Sequence, residues 1–454
     1  MKVHFIAIGG SAMHNLAIAL HKKGFEITGS DDEIFDPSKS RLEKYGILPK
    51  EWGWFPEKLD ASIDAIILGM HARIDNPELL KAQELGLKIY SYPEYIYEQT
   101  KDKTRIVIGG SHGKTTTTSM VMHVFKDNNI EFDYMVGAQI EGFETMVKLS
   151  KEAKIAIFEG DEYLSSPIDR RPKFHLYHPD IALLTGIAWD HINVFPTFEN
   201  YVEQFEIFTQ MIQENGSLIY FDGDEHIAKI VETRREDIDY IPYNAHPFKV
   251  VDNCSILQTQ NGEIPLEIFG EHNLQNLMGA YYICRKAGLS DEQFYSSIRH
   301  FSGAAKRLQK LANNESCTVF QDFAHSPSKL KATTEAVKKQ FVNRKLIACM
   351  ELHTFSSLKK EFLPHYKNTM SLADEAIVYF NPKTIEHKKL EPISKEQVAE
   401  AFGGNNVSVY TDSDQVISDL LNHDFEQTNV LLMSSGNFSG ANLAELAEKI
   451  VNKT

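Results

Sequence analysis

The sequence predicts an α/β protein made of three successive series of parallel strands and helices. Three observations carry that prediction. The length of 454 residues, at roughly 150 residues per domain, gives about three domains. A motif of apolar strand, glycine turn and apolar-periodic helix repeats along the chain, as in parallel α/β sheets. The series restarts near residues 104 and 303, so the expected domains are 1–103, 104–302 and 303–454.

In the first series, VHFIAI at 3–8 is a buried-strand run, followed by Gly9-Gly10 and a helix to about Lys23. Strands follow at EITGS, 65–69 and 87–90, with helices near 38–45 and after Pro77. The charged stretch from Gln99 to Lys103 reads as a linker. The second series has strands at 105–109, 155–159, 181–185 and 217–221, then a turn-rich stretch over 222–268 and a helix at about 273–287. The third has strands at 318–322, 345–350, 376–380 and 429–434.

Hydrophobic residues make up 42% and charged residues 24%, a globular balance that excludes a largely disordered chain. The net charge of −16 repels nucleic acid and anionic membranes, so neither is an expected partner. No apolar run approaches the roughly 18 residues that span a bilayer, and the N-terminus reads as a strand without signal-peptide features. The four cysteines form no CxxC pair, so no zinc knuckle or disulfide framework is expected and a reduced, cytoplasmic home is.

The sharpest motif is GGSHGKTTTT, Gly109 to Thr118, between a strand and a helix. Glycines let backbone N–H groups approach phosphate oxygens, and the helix N-terminus adds positive potential. Gly110, Ser111, His112, Gly113, Lys114, Thr115 and Thr116 are the expected ATP-binding set, with Lys114 at the terminal phosphates and Thr115 on Mg²⁺. The loop is a shortened G-x-x-G-K-T variant, because Ile108 stands where the longer motif has a glycine.

The earlier turn, Gly9, Gly10, Ser11, Ala12 and Met13, with Ser30 and Asp31 some 20 residues on, resembles a dinucleotide fingerprint. It is expected to bind a diphosphate, from NAD or from a nucleotide sugar. Glu159 ends a strand beside the phosphate loop and is a candidate Mg²⁺ ligand. Asp161 and Glu162 read as solvated turn acids, and Arg170 and Arg171 as a clamp for an anion or as surface charge. His191, after the strand at 181–185, is a candidate catalytic residue and metal ligand. Asn273 and Asn276 have the donors and acceptors an adenine edge needs. Arg307, Asp322 and His325 cluster around the start of the third series, the last two at a strand C-terminus, where open α/β sheets bind ligands.

Taken in order, GSHGKTTTT, EGDE, DH, GEHNLQN, KRLQ and QDFAHSP resemble the Mur ligase family over essentially the whole chain. The resemblance implies a UDP-substrate domain, a central ATPase domain and a C-terminal Rossmann-like domain. It implies ATP-dependent amide formation on UDP-N-acetylmuramate, with the Gly9-Gly10 turn cradling the UDP diphosphate. Segments 29–47 and 159–179 resemble the branch that joins the tripeptide L-alanyl-γ-D-glutamyl-meso-diaminopimelate during peptidoglycan recycling. The alternative branch adds L-alanine.

The sequence departs from the family pattern at Thr185 or Gly186, where asparagine is usual, and at His353, where arginine is common. Several members also carry a metal-bridging carbamylated lysine about fifteen residues after the metal histidine. Here no lysine lies between His191 and Lys229, and position 206 is Glu. No amine is available for a carbamate, and Glu206 is either a substitute carboxylate or a solvated helix residue.

Overall fold

The first apolar run becomes β1 (Lys2–Ile6), the second strand of a four-stranded parallel sheet with β2 (Glu26–Ser30), β3 (Ala65–Leu68) and β4 (Ile89–Ser91), in the order β2-β1-β3-β4. This computed structural model describes residues 1–191, 194–403 and 407–453. The chain forms two compact units, Met1–Asn244 with Met278–Ser297, and Ala245–Leu277 with Ile298–Thr454. Among the described residues no helix is long and apolar enough to cross a membrane.

The second sheet of the first unit contains β5 (Thr104–Gly109), β6 (Phe132–Met135), β7 (Val147–Lys148), β8 (Ile155–Glu159), β9 (Ile181–Leu184), β10 (Ser217–Phe221) and β11 (Asp239–Tyr243). Its order is β11-β10-β9-β5-β8-β6-β7, parallel except for the β6–β7 pair. β5 lies between β8 and β9, so the ends of these three strands open at one edge, where ligands bind in open α/β sheets. Helix Lys114–Asp127 contains four successive threonines, a poor helix sequence. Burial of Thr115 to Met122 on all sides overrides that propensity.

In the second unit, β12 (Phe248–Val251), β13 (Cys254–Thr259) and β14 (Gly262–Leu266) form an antiparallel meander. The other sheet has β15 (Gln309–Asn313), β16 (Cys317–Asp322), β17 (Lys345–Leu352), β18 (Glu375–Phe380), β19 (Val407–Tyr410) and β20 (Thr428–Met433), in the order β15-β16-β20-β17-β18-β19. All its pairs are parallel except β15–β16. Apolar clusters centred on Leu346, Met350 and Val378, and on Ile347, Ile377 and Leu432, cover its two faces.

Two expectations need correction. The strand expected at 87–90 starts later, at Ile89, and runs to Ser91. The expected linker begins inside a helix, Tyr92–Thr100, which starts with a Ser91–Glu94 capping box. Its charged tail is anchored as well: Lys103 is buried and pairs with buried Asp133 at 2.5 Å. The Lys103 ammonium also donates to the Ser150 carbonyl at 2.7 Å.

Candidate active site

β5 ends at Gly109 and helix Lys114–Asp127 begins four residues later, with left-handed Gly113 as its N-cap. Gly110 has φ +128°, and a Cβ there would collide with the Thr185 hydroxyl. That hydroxyl donates to the His112 carbonyl and, at 3.2 Å, to the Gly109 carbonyl. Thr185 therefore holds the loop backbone. Ser111 Oγ accepts the Ala188 N–H at 2.9 Å and shares a 2.9 Å hydrogen bond with the Tyr201 hydroxyl. Thr116 is buried in the first turn of the helix.

The loop faces a set of acids. Lys114 Nζ donates to the Gly110 carbonyl and pairs with Glu162 Oε2 at 2.8 Å. Glu162 is 1% exposed, so the solvated turn acid expected from sequence is instead a buried hub. Its Oε1 accepts the Tyr201 hydroxyl at 3.0 Å and lies 3.5 Å from His191 Nε2. Burial alone would raise the Glu162 pKa, but Lys114 and His191 hold it below the usual carboxylate range. Burial alone would lower the pKa of Lys114 and of His191, and the surrounding carboxylates, Glu162 foremost, raise both. All three groups are thereby biased toward their charged forms.

Asp161, Glu162 and His191 place their ligand atoms within 4.8 Å of one another. His191 has φ +53°, and its N–H donates to Asp190 Oδ1 at 2.8 Å. Glu159, at the end of β8, belongs to a neighbouring group: its Oε1 accepts the Thr115 hydroxyl at 2.7 Å and its Oε2 the Gly137 N–H at 2.9 Å. Glu159 and His191, both candidate metal ligands from sequence, fall into two groups. The structure joins His191 to Asp161 and Glu162, and Glu159 to Thr115.

Three other candidates lie apart from this cluster. Arg171 is exposed and engaged by Asp169 at 2.6 Å and Glu94 at 3.4 Å, while Arg170 is exposed. Glu206 is exposed on helix Phe198–Gln210, whose Tyr201, Phe205 and Phe208 are buried. Nothing in the sequence marks Tyr201 as a site residue, although apolar periodicity alone puts it on the inner face of that helix.

The earlier glycine turn follows β1. Ala7 and Ile8 donate their N–H groups to the carbonyl of buried Ser30. Asp31 is buried and accepts the Gly9 N–H on Oδ2 at 2.7 Å and the Asp32 N–H on Oδ1 at 3.0 Å. A Cβ on Gly9 would come within 2.9 Å of that carboxylate and of Ile34, so Asp31 shapes the turn and Gly9 is required by packing. Gly10 caps helix Ser11–Lys22, with Ser11 and Ala12 at its open end and Met13 buried.

In the second unit, Asn273 and Asn276 are buried near the start of helix Glu271–Lys286, and Asn273 Nδ2 donates to the Phe269 carbonyl at 2.8 Å. Asp322 ends β16 and accepts the N–H groups of Leu308 at 2.5 Å and Ala324 at 2.6 Å, which clips the KRLQ segment to the strand end. The Arg307 guanidinium stacks 4.8 Å from the Phe323 ring centroid, and His325 Nδ1 lies 3.0 Å from the Phe323 carbonyl.

The chain matches three family descriptions in sequence: "Mur ligase family, catalytic domain" over 2–104, "Mur ligase middle domain" over 108–284, and "Mur ligase, glutamate ligase domain" over 306–436. It is 30% identical over 390 residues to a UDP-N-acetylmuramate–L-alanine ligase of Caldicellulosiruptor bescii, covering 83% of each chain. Its fold matches a murein peptide ligase of Psychrobacter arcticus, with TM-score 0.65 and 21% identity over 100% of this chain and 99% of that one. It also matches a UDP-N-acetylmuramate–alanine ligase of Thermotoga maritima, with TM-score 0.69 and 19% identity over the same shares. The phosphate loop, the acids facing it and these matches together make the chain a member of the Mur ligase family, an ATP-dependent acid–amino acid ligase on the three-domain α/β fold.

Proposed function

We propose that this chain forms an amide on the muramate carboxyl of UDP-N-acetylmuramate through an acyl phosphate, with L-alanine as the incoming amine. The observation that carries the phosphoryl chemistry is the charged Lys114–Glu162–His191 cluster beside the phosphate loop. A carboxylate is a poor electrophile. Its oxygen attacks the γ-phosphorus of ATP and ADP leaves. The neutral amine nitrogen then attacks the acyl carbon, phosphate leaves, and the nitrogen gives up a proton.

Lys114 stabilises charge on the transferring phosphoryl group, an electrostatic and positional role. Before ATP binds, Glu162 balances that ammonium at 2.8 Å. The Gly9–Met13 turn and Ser30 hold the UDP moiety. Asn273, Asn276, Arg307, Asp322 and His325 are further proposed ATP-binding residues.

The donor set also fits a divalent cation: two carboxylates and an imidazole converge within 4.8 Å, with the Thr115 hydroxyl and Glu159 beside the same loop. Mg²⁺, when bound, would neutralise phosphate charge there. The four cysteines are free, in keeping with work in the cytoplasm.

L-Alanine is the acceptor in the names of relatives 26–30% identical to this chain. The tripeptide is the second reading, favoured by segments 29–47 and 159–179. The test is ATP-dependent phosphate release with UDP-N-acetylmuramate and either L-alanine, dipeptide or tripeptide. Turnover with alanine supports the first reading, and turnover confined to tripeptide replaces it with the second. No turnover with any acceptor overturns the ligase reading.

A further inference from the structure

A cavity of about 610 Å³ lies between helix Ser11–Lys22, helix Lys114–Asp127 and the β6–β7 strand pair, a size suited to a small molecule. Its helical walls are C-terminal ends, with Ala19 and Lys22 from the first helix and Lys126 from the second. The opposite ends of these helices carry the two glycine loops. At 1.5 Å per residue the lining residues of the two helices stand roughly 12–18 Å along the helix axes from the loops, so the cavity is separate from both expected nucleotide sites.

The lining has a definite chemistry. Lys22 pairs with Glu144 at 2.8 Å and Lys148 with Glu131 at 3.0 Å. Among the described residues Lys126 has no carboxylate within ion-pair distance. Its Nζ reaches the Gly142 carbonyl at 3.2 Å and lies 5.2 Å from the Phe143 ring centroid. Phe143 packs edge-on against Tyr134 with centroids 5.2 Å apart. One uncompensated ammonium therefore stands beside an aromatic surface.

The same wall is a strap bonded to residues that neighbour both loops: Asn15, and Glu159, which holds the Thr115 hydroxyl. Glu144 ties it to the first domain through Lys22, Lys44 at 3.1 Å and the Tyr45 hydroxyl at 2.5 Å. Met146 N–H donates to Asn15 Oδ1 at 3.0 Å, one turn from Ser11. Gly137 N–H donates to Glu159 at 2.9 Å.

We propose that this cavity binds a small amphiphile with one anionic group and a flat apolar body, and that its occupancy slows the ligase. The anion takes Lys126 from the Gly142 carbonyl and so acts on the strap, while the apolar body lies against the Tyr134–Phe143 pair. The binding claim is independent of the ligase reading; the claim about turnover rests on it.

The probe is 8-anilinonaphthalene-1-sulfonate, which has one sulfonate on flat rings, titrated by fluorescence into the full chain with and without saturating UDP and ADP. Saturable binding that survives both nucleotides is expected. Lys126→Met should weaken it about tenfold, the scale of one charge-assisted hydrogen bond, with far-UV circular dichroism and basal turnover unchanged. Should Lys126→Met not fold, Phe143→Leu removes the ring and should weaken binding likewise. Displacement by either nucleotide, or equal binding by the wild type and a folded variant, overturns the site. In wild type the probe should lower turnover without competing with UDP-N-acetylmuramate, and it should do so less in Lys126→Met at equal concentration. Unchanged wild-type turnover at saturating probe overturns the regulatory claim and leaves the binding result to judge the site.

Discussion

Lys114, half-buried, and Glu162, buried, form one charge pair, and the two residues differ in how far sequence reveals them. Lys114 was legible because a glycine loop between strand and helix has few other uses for a lysine. Glu162 was not, because its role comes from burial beside Lys114, His191 and Tyr201, and a run of acids after a strand reads as solvated. Thr185 was visible only as one of two positions, with Gly186, where the pattern departs, although its hydroxyl holds the loop. Lys114→Ala should leave the fold intact and reduce ligation by about 10²–10³ or more, the scale of one lost transition-state charge contact. Near-wild-type turnover in a folded variant would remove Lys114 from the mechanism. Glu162→Gln keeps the side-chain volume but leaves the Lys114 charge uncompensated. Its activity should fall and its Mg²⁺ requirement rise, measured as turnover against Mg²⁺ concentration at saturating ATP.

Among the elements, the parallel strands were legible because they are short, apolar and bounded by glycine or charge. The helix Tyr92–Thr100 was missed although Ser91 and Glu94 have the capping-box spacing, since the charges after it outweighed that signal. Those charges include Lys103, which forms a buried tie to β6 through Asp133 at 2.5 Å. Removing one partner of a buried pair strands the other, so Lys103→Met should destabilise the chain by roughly 3–5 kcal/mol. The loss should appear as a lower denaturant midpoint, and Lys103→Met/Asp133→Leu should recover part of it. Helix Phe198–Gln210 gives the opposite case. Its buried face is aromatic and Glu206 points to solvent, so Glu206→Gln should leave kinetics unchanged. With no lysine between His191 and Lys229 to form a carbamate on that helix, depleting bicarbonate should not change turnover. A bicarbonate dependence would mean that a more distant lysine reaches the site.

For the whole molecule, the fold class was legible from repetition, because a strand–turn–helix pattern that restarts twice leaves few architectures other than successive α/β domains. The acceptor was less legible, since it depends on how side chains from distant segments converge. Burial also sets a pH dependence that composition does not show. Burial pushes the Asp31 carboxyl up to about 6 from its ordinary 3.8, against the lowering effect of the Gly9 N–H. The folded chain thus keeps this proton to higher pH than the unfolded chain does, and folding takes up a proton between those values. Asp31's contribution to stability is complete below about pH 3.8 and is lost as pH rises through 6. Glu144 acts in the opposite sense: hydrogen bonds from Lys22, Tyr45 and Lys44 hold it down to about 2, so its contribution is complete above about pH 4.5 and is lost as pH falls through 2. Between pH 4 and 7 the Asp31 effect therefore dominates the comparison of these two groups. Wild type should lose stability relative to Asp31→Asn over that range, by up to about 3 kcal/mol for a shift of about two pH units. All three tryptophans, Trp52, Trp54 and Trp189, lie in the first unit, so the denaturant midpoint of their fluorescence reports the unit that contains Asp31. A wild-type-to-variant gap that stays constant from pH 4 to 7 would show that Asp31 ionises in the folded chain as it does in the unfolded one.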